Sequence, residues 1–179
     1  MTTQRTLLAF AGSFRSGSLS HALLKGYDGA LPPTWTLKLC DYRSVPLYNG
    51  DVDGGPAVEA VKTAITEADA LVFSAPEYNY SIPGVLKNMI DWASRPAYKS
   101  PLAGHRAGLM TLSGGVSGGA RAQQHLKTIL LGTATSIYTA PEMLIPNAAG
   151  AFEGGVLTDE KVRAQVERYL CGLCEWAER

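Results

Sequence analysis

Gly12-Ser13-Phe14-Arg15-Ser16-Gly17-Ser18-Leu19-Ser20 is the segment of this chain best equipped for chemistry. It lies between the apolar run Leu7-Leu8-Ala9-Phe10-Ala11, a short buried strand, and His21-Ala22-Leu23-Leu24-Lys25, which reads as helix. A strand that turns through glycine and serine into a helix leaves unpaired N–H groups pointing outward, and the helix dipole favours negative charge there. The serine hydroxyls add donors, and Arg15 adds a planar cation that can hold two phosphate oxygens at once. Phosphate binding is one reading of the loop. The other is an ordinary strand-to-helix turn with a serine cap and a solvent-facing arginine, because glycine and serine enrich turns of every kind.

Two further segments have unusual composition. In Ala75-Pro76-Glu77-Tyr78-Asn79-Tyr80-Ser81-Ile82-Pro83-Gly84, prolines fix the path, tyrosines offer planar surface, and Asn79 can both donate and accept. That set suits the edge and face of an aromatic heterocycle. In Ser113-Gly114-Gly115-Val116-Ser117-Gly118-Gly119, small residues let backbone N–H groups approach a flat ligand closely. Taken singly, the two segments also read as Pro-Gly punctuation and a flexible glycine turn.

The elements that would position these loops alternate along the chain. Strands are expected at about 5–11, 36–40, 70–74, 106–112 and 137–145, the last interrupted by Pro141. Helices are expected at about 18–30, from Pro56 to about 68, and at 84–94, 119–131 and 158–177, with 147–155 an excursion or hairpin. Such alternation implies one three-layer α/β/α domain over 1–179, with a five-stranded parallel sheet. A doubly wound sheet of this size commonly runs in the order 2-1-3-4-5, with its ligand beyond the carboxyl ends of strands 1, 3 and 4. The three loops follow those three strands, so their convergence favours a cofactor made of a phosphate and a ring.

Composition narrows the partners. Lysine plus arginine and aspartate plus glutamate number 16 each, so no charge excess points to nucleic acid or to a carrier docking through charge. No signal peptide and no apolar run of about 18 residues can be read, which makes the cytosol the expected compartment and no membrane the expectation. Cys171 and Cys174 form C-x-x-C on an amphipathic helix, where they share one face and are expected to pack rather than to bind zinc or cycle as a redox pair. His21, His105 and His125 lack metal spacing and are expected at the surface or in caps, and no Ser-His-Asp or Cys-His set is evident. Gly12, Gly17 and Gly26 do not fit the dinucleotide fingerprint, and a Walker lysine is absent. One phosphate and one ring fit a mononucleotide, and flavin mononucleotide (FMN) best.

At this point the residues resemble a family, the NADPH-dependent FMN reductases of flavodoxin-like fold, which includes bacterial quinone, chromate and azo-dye reductases. The matching stretches are 12–18, Pro46-Leu47-Tyr48, the long run from Pro76 to Trp92, and Gly118-Gly119-Ala120-Arg121-Ala122-Gln123. The resemblance places the FMN phosphate loop on Ser13, Arg15, Ser18 and Ser20, a ring-binding loop on Pro76, Glu77, Tyr78 and Asn79, and a second on Ser113, Gly114 and Gly115. It departs at Ser20, where the family usually has asparagine, and the shorter serine is expected to hold phosphate less tightly. The resemblance further implies a homodimer or homotetramer whose subunits close over the flavin. Arg121 and Glu142 are then interface partners, or else solvent-facing charges.

The implied activity is transfer of hydride from NAD(P)H through FMN to a small-molecule acceptor, a quinone, azo compound, chromate or free flavin, by a ping-pong mechanism. The flavin carries the chemistry, with no side chain as nucleophile. N–H groups near Gly114 and Gly115 would stabilise charge on the reduced ring. Tyr48 is a candidate substrate contact or a structural residue. The competing expectations are a flavodoxin-type electron carrier without small-substrate turnover, and a flavin-free scaffold.

Overall fold

Three apolar runs become the central strands. In the computed structural model, which describes residues 4–25, 27 and 30–179, β1 (Arg5–Ala11), β3 (Ala70–Pro76) and β4 (Arg106–Leu112) are buried along nearly their whole length. Burial of this kind marks strands covered on both faces. β2 (Trp35–Leu39) flanks β1, and β5 (Ser136–Ile137) and β6 (Met143–Ile145) flank β4, giving a parallel sheet in the order β2-β1-β3-β4-β5. This is the flavodoxin-like order expected from the sequence.

Because successive residues of a strand face opposite ways, each strand serves two cores. Leu7, Ala9, Val72 and Met110 meet α1 (Leu19–Leu24) and α5 (Glu160–Ala177) through Leu23, Leu24, Val166, Leu170 and Leu173. Leu8, Phe10, Leu71 and Phe73 meet α2 (Gly55–Glu67), α3 (Gly84–Ala93) and α4 (Ala120–Gly132) through Val61, Ile65, Leu86, Met89, Leu126 and Leu130. Phe10 and Phe73 stack in this second core with centroids 4.9 Å apart. The outcome is three layers, with every sheet rim formed by loops.

Two expected elements change. The first helix stops at Leu24, with Lys25 already extended at ψ 142°. Gly26 follows in the sequence, a common helix stop, and residues 26, 28 and 29 of the expected helix lie outside the described residues. The expected strand at 137–145 is two short strands, because Pro141 cannot donate a ladder hydrogen bond and the chain bows away between them. β7 (Phe152–Glu153) and β8 (Val156–Leu157) form the hairpin expected near 147–155, turning through Gly154 and Gly155 at φ 56° and 80°.

Two side chains repair the break at the sheet edge. The Leu109 N–H, which faces the gap between β5 and β6, donates to the Tyr169 hydroxyl at 2.7 Å. Gln123, 3% exposed, donates from Nε2 to the Met143 carbonyl at 3.1 Å and the Leu109 carbonyl at 3.4 Å. A buried backbone donor left without a partner costs about 1–3 kcal/mol. Tyr169→Phe is therefore expected to lower unfolding stability by about that amount, read as a reduced urea midpoint with an unchanged slope. A midpoint equal to the parent's would assign the edge to Gln123 alone.

Cys171 and Cys174 are free thiols on α5. Cys171 Sγ reaches the Ala30 carbonyl at 3.2 Å, while Cys174 is fully buried and burial pushes its thiol up to about 12. Among the described residues no helix is long and apolar enough to cross a membrane.

Candidate functional site

The first loop leaves the sheet through a close approach. Gly12 donates to the Ser74 carbonyl at 2.7 Å, and a Cβ at Gly12 would lie 3.0 Å from the Ala75 Cα, so this position has little room for a side chain. Ser13 is 6% exposed, and its hydroxyl lies 3.0 Å from the Tyr78 hydroxyl, tying the first loop to the loop after β3. Ser18 caps α1 by accepting from the His21 N–H at 3.2 Å, and its hydroxyl lies 2.9 Å from that of Ser20. The N–H groups of Gly17, Leu19 and Ser20 donate to no atom of the described residues. The Arg15 guanidinium is exposed and has no partner among them. Burial, then the positive charges of Lys25 and Arg43, hold the His21 imidazole below its usual value, so it favours the neutral form.

The second loop is a tight turn. Tyr78 and Ser81 exchange backbone hydrogen bonds of 2.9 and 3.0 Å, while Asn79 and Tyr80 both adopt left-handed backbone, at φ 49° and 67°. Asparagine tolerates that conformation, but tyrosine does so only under constraint. Here the Arg121 guanidinium lies 4.4 Å from the Tyr80 ring centroid. Ser81 Oγ and His125 Nδ1 are 2.9 Å apart, so α4 grips the turn at a second point.

Glu77 has a role that its type and position in the sequence did not reveal. The α4 N-cap is Gly119, which has no side chain to cap the helix. Glu77 reaches across from the neighbouring loop, and its Oε2 accepts from the N–H groups of Arg121 and Ala122 at 3.2 and 3.4 Å. Its Oε1 accepts from Arg121 Nη1 at 3.0 Å. A carboxylate at a helix N-terminus satisfies orphan donors and complements the dipole.

The third loop is organised by Ser113, whose Oγ accepts from the Gly115 N–H at 3.2 Å and donates to its carbonyl at 3.1 Å. Bonds from Asn147 to Gly115 and from Ala148 to Ser113, of 3.0 and 2.9 Å, bring the segment after β6 alongside. Gly114 makes no such bond, and a Cβ there would meet nothing within 4 Å.

These three loops line one open cleft of about 170 Å³. Of the residues expected from sequence, Ser13, Arg15, Ser18 and Ser20 line it from the first loop, Pro76, Glu77 and Tyr78 from the second, and Ser113 and Gly114 from the third. Asn79 and Gly115 sit one residue beyond the lining. Leu112, Ala148 and Ala149 complete the wall. The two alanines lie in a segment that reads from sequence only as an excursion, with no polar signal to mark it. Uncommitted N–H donors, a free guanidinium and unfilled space above Gly114 fit a flat ligand with an anionic tail.

Tyr48 lies outside this lining. Its N–H donates to Asn88 Oδ1 at 2.8 Å, and Asn88 Nδ2 donates to the Pro46 carbonyl at 2.8 Å, which also accepts from Trp92 Nε1 at 2.9 Å. The Tyr48 ring packs edge-on against Trp92 and under Arg95. Both halves of one amide thus hold 46–48 against α3. Asn88→Ala is expected to cost about 1–2 kcal/mol, since each neutral hydrogen bond contributes about 0.5–1.5 kcal/mol, and to speed proteolytic nicking at 44–53. Unchanged nicking would show that Trp92 suffices.

Comparison with known proteins shows the family. The sequence profile of the NADPH-dependent FMN reductases matches residues 5–150. An NAD(P)H-dependent FMN reductase of Pseudomonas aeruginosa is 42% identical, with 100% of this chain and 98% of the relative covered. A quinone reductase of Escherichia coli is 38% identical over 89% of this chain and 82% of its own. The solved structure of an NAD(P)H:(acceptor) oxidoreductase flavoenzyme of Paracoccus denitrificans superposes with a TM-score of 0.87 at 34% identity, covering 97% of each chain. With its strand order, the profile match over residues 5–150 and these relatives in accord, the chain belongs to the NADPH-dependent FMN reductase family.

Proposed function

We propose that the chain is a single-domain, NAD(P)H-dependent FMN oxidoreductase that reduces quinones or similar flat acceptors, with FMN held in the cleft. Bound FMN supplies a ring that accepts hydride from NAD(P)H and passes the reducing equivalents on. Arg15 and the N–H groups of Gly17, Leu19 and Ser20 hold the phosphate, with Ser13 and Ser18 lining its seat. Ser20 takes the place of the family's asparagine there, with its hydroxyl shared with Ser18. Pro76, Glu77, Tyr78 and Asn79 bound the ring on one side, and Ser113, Gly114 and Gly115 on the other. Gly114, with its free N–H, is placed to donate to charge that builds on the ring.

The observation that carries this reading is the convergence of uncommitted donors from separate loops on one cleft. The assignment extends to a cytosolic homodimer or homotetramer, whose mass light scattering reads directly. Purified protein incubated with FMN and desalted is expected to be yellow and to oxidise NADPH on addition of benzoquinone. Bound FMN without turnover would make it an electron carrier instead, and protein that stays colourless would remove the flavin from the account.

A further inference from the structure

Glu77 brings a carboxylate to the cleft wall with its side chain only 10% exposed. A reduced flavin carries negative charge that the oxidised ring lacks, so a bare carboxylate there would oppose reduction. The carboxylate is not bare. Arg121 closes an ion pair on Oε1, and the first turn of α4 donates to Oε2. Arg121 in turn is held over the Tyr80 ring, although its side chain is 53% exposed. Two opposite charges, paired with each other and at unequal depth, therefore meet at the cleft wall, with the carboxylate in the lining and the guanidinium beyond it.

We propose that Glu77 and Arg121 form a compensating charge pair that sets the reduction potential of the bound flavin. The pair keeps the cleft electrically balanced while its carboxylate anchors the ring loop to α4. The proposal rests on the FMN reading above and assigns these two positioning residues an electrostatic task within it.

Signs follow from which charge remains. Glu77→Gln keeps an oxygen that can accept from α4 but leaves the Arg121 cation uncancelled, which favours the reduced ring. Arg121→Gln leaves the Glu77 carboxylate uncancelled, which disfavours it. Each single substitution is expected to change the ratio of FMN affinities, reduced against oxidised, by about tenfold, or about 30 mV for a two-electron couple. The shifts are opposite: upward for Glu77→Gln and downward for Arg121→Gln. Since Glu77 is the more buried charge, its shift is expected to be the larger. In the double variant both charges are gone, so the potential lies between those of the two single variants and above the parent by the excess of the Glu77 shift.

The test is dye-equilibrated potentiometry on FMN-loaded parent, both single variants and the double variant, with FMN dissociation constants measured by fluorescence. Opposite single shifts, with the double variant between them, support the pair as a potential-setting device. A purely structural pair would loosen the loop in both singles, move them in one direction and leave the double at least as far displaced; that result, or no shift at all, overturns the proposal. If Glu77→Gln cannot be loaded, Arg121→Gln decides alone, because its side chain lies largely at the surface: an unchanged or raised potential overturns the idea. Failure of the parent itself to bind FMN would instead strike the FMN reading.

Discussion

Arg15→Ala is expected to weaken FMN binding about 10–100-fold, because hydrogen bonds to a charged group contribute about 1.5–3 kcal/mol and each 1.4 kcal/mol is a factor of ten. The side chain has no partner to lose among the described residues, so folding stability should not change. Ser13→Ala in the same chain adds a second loss, since Ser13 Oγ also ties the first loop to Tyr78. The discriminating measurement compares FMN with riboflavin, which has the same ring and no phosphate. Parent protein should prefer FMN, and the variants should lose that preference while riboflavin binding stays nearly constant. Equal losses for both ligands, or flavin retained through desalting, would place the phosphate elsewhere.

Much of this site can be read from the chain because backbone chemistry determines it. Continuous apolar runs at Leu7–Ala11 and Ala70–Ser74 specify doubly covered strands, and the loops that follow such strands meet at one rim. What sequence does not show is which side chains are already spent. Ser18 and Ser20 look like free donors, yet their hydroxyls lie 2.9 Å apart and Ser18 also caps α1. Glu77 reads as part of a ring-binding loop, yet its carboxylate serves α4, 44 positions further along the chain. Tyr48 reads as a substrate contact or a structural residue, and its N–H is bonded to Asn88 while its ring packs edge-on against Trp92. The partners of Glu77 and Tyr48 lie 44 and 40 positions along the chain, where no local pattern announces them, whereas the Ser18–Ser20 contact is local. The broken fifth strand lies between these extremes, since Pro141 signals the interruption but not that Tyr169 and Gln123 fill it.

Two glycines of the third loop should respond in opposite ways, and the contrast separates a cleft wall from a fold requirement. Gly119 holds φ 83°, and a Cβ there would sit 2.9 Å from the Thr111 Cβ. Gly119→Ala is expected to cost about 1–2 kcal/mol for left-handed backbone alone, with the contact adding to it, so its urea midpoint should fall. Gly114 has no left-handed backbone, is exposed, and has nothing within 4 Å of an added Cβ. Gly114→Trp should therefore fold with the parent's midpoint, yet place a bulky ring in the space assigned to the flavin. We expect FMN binding to weaken at least about 100-fold, since displacing the tryptophan or seating the ring off its donors forfeits about 2.7 kcal/mol or more. Gly114→Ala should bind nearly as the parent does, which makes the loss a matter of volume. Parent-like FMN affinity in Gly114→Trp would mean that the ring does not lie over this loop, whatever holds its phosphate.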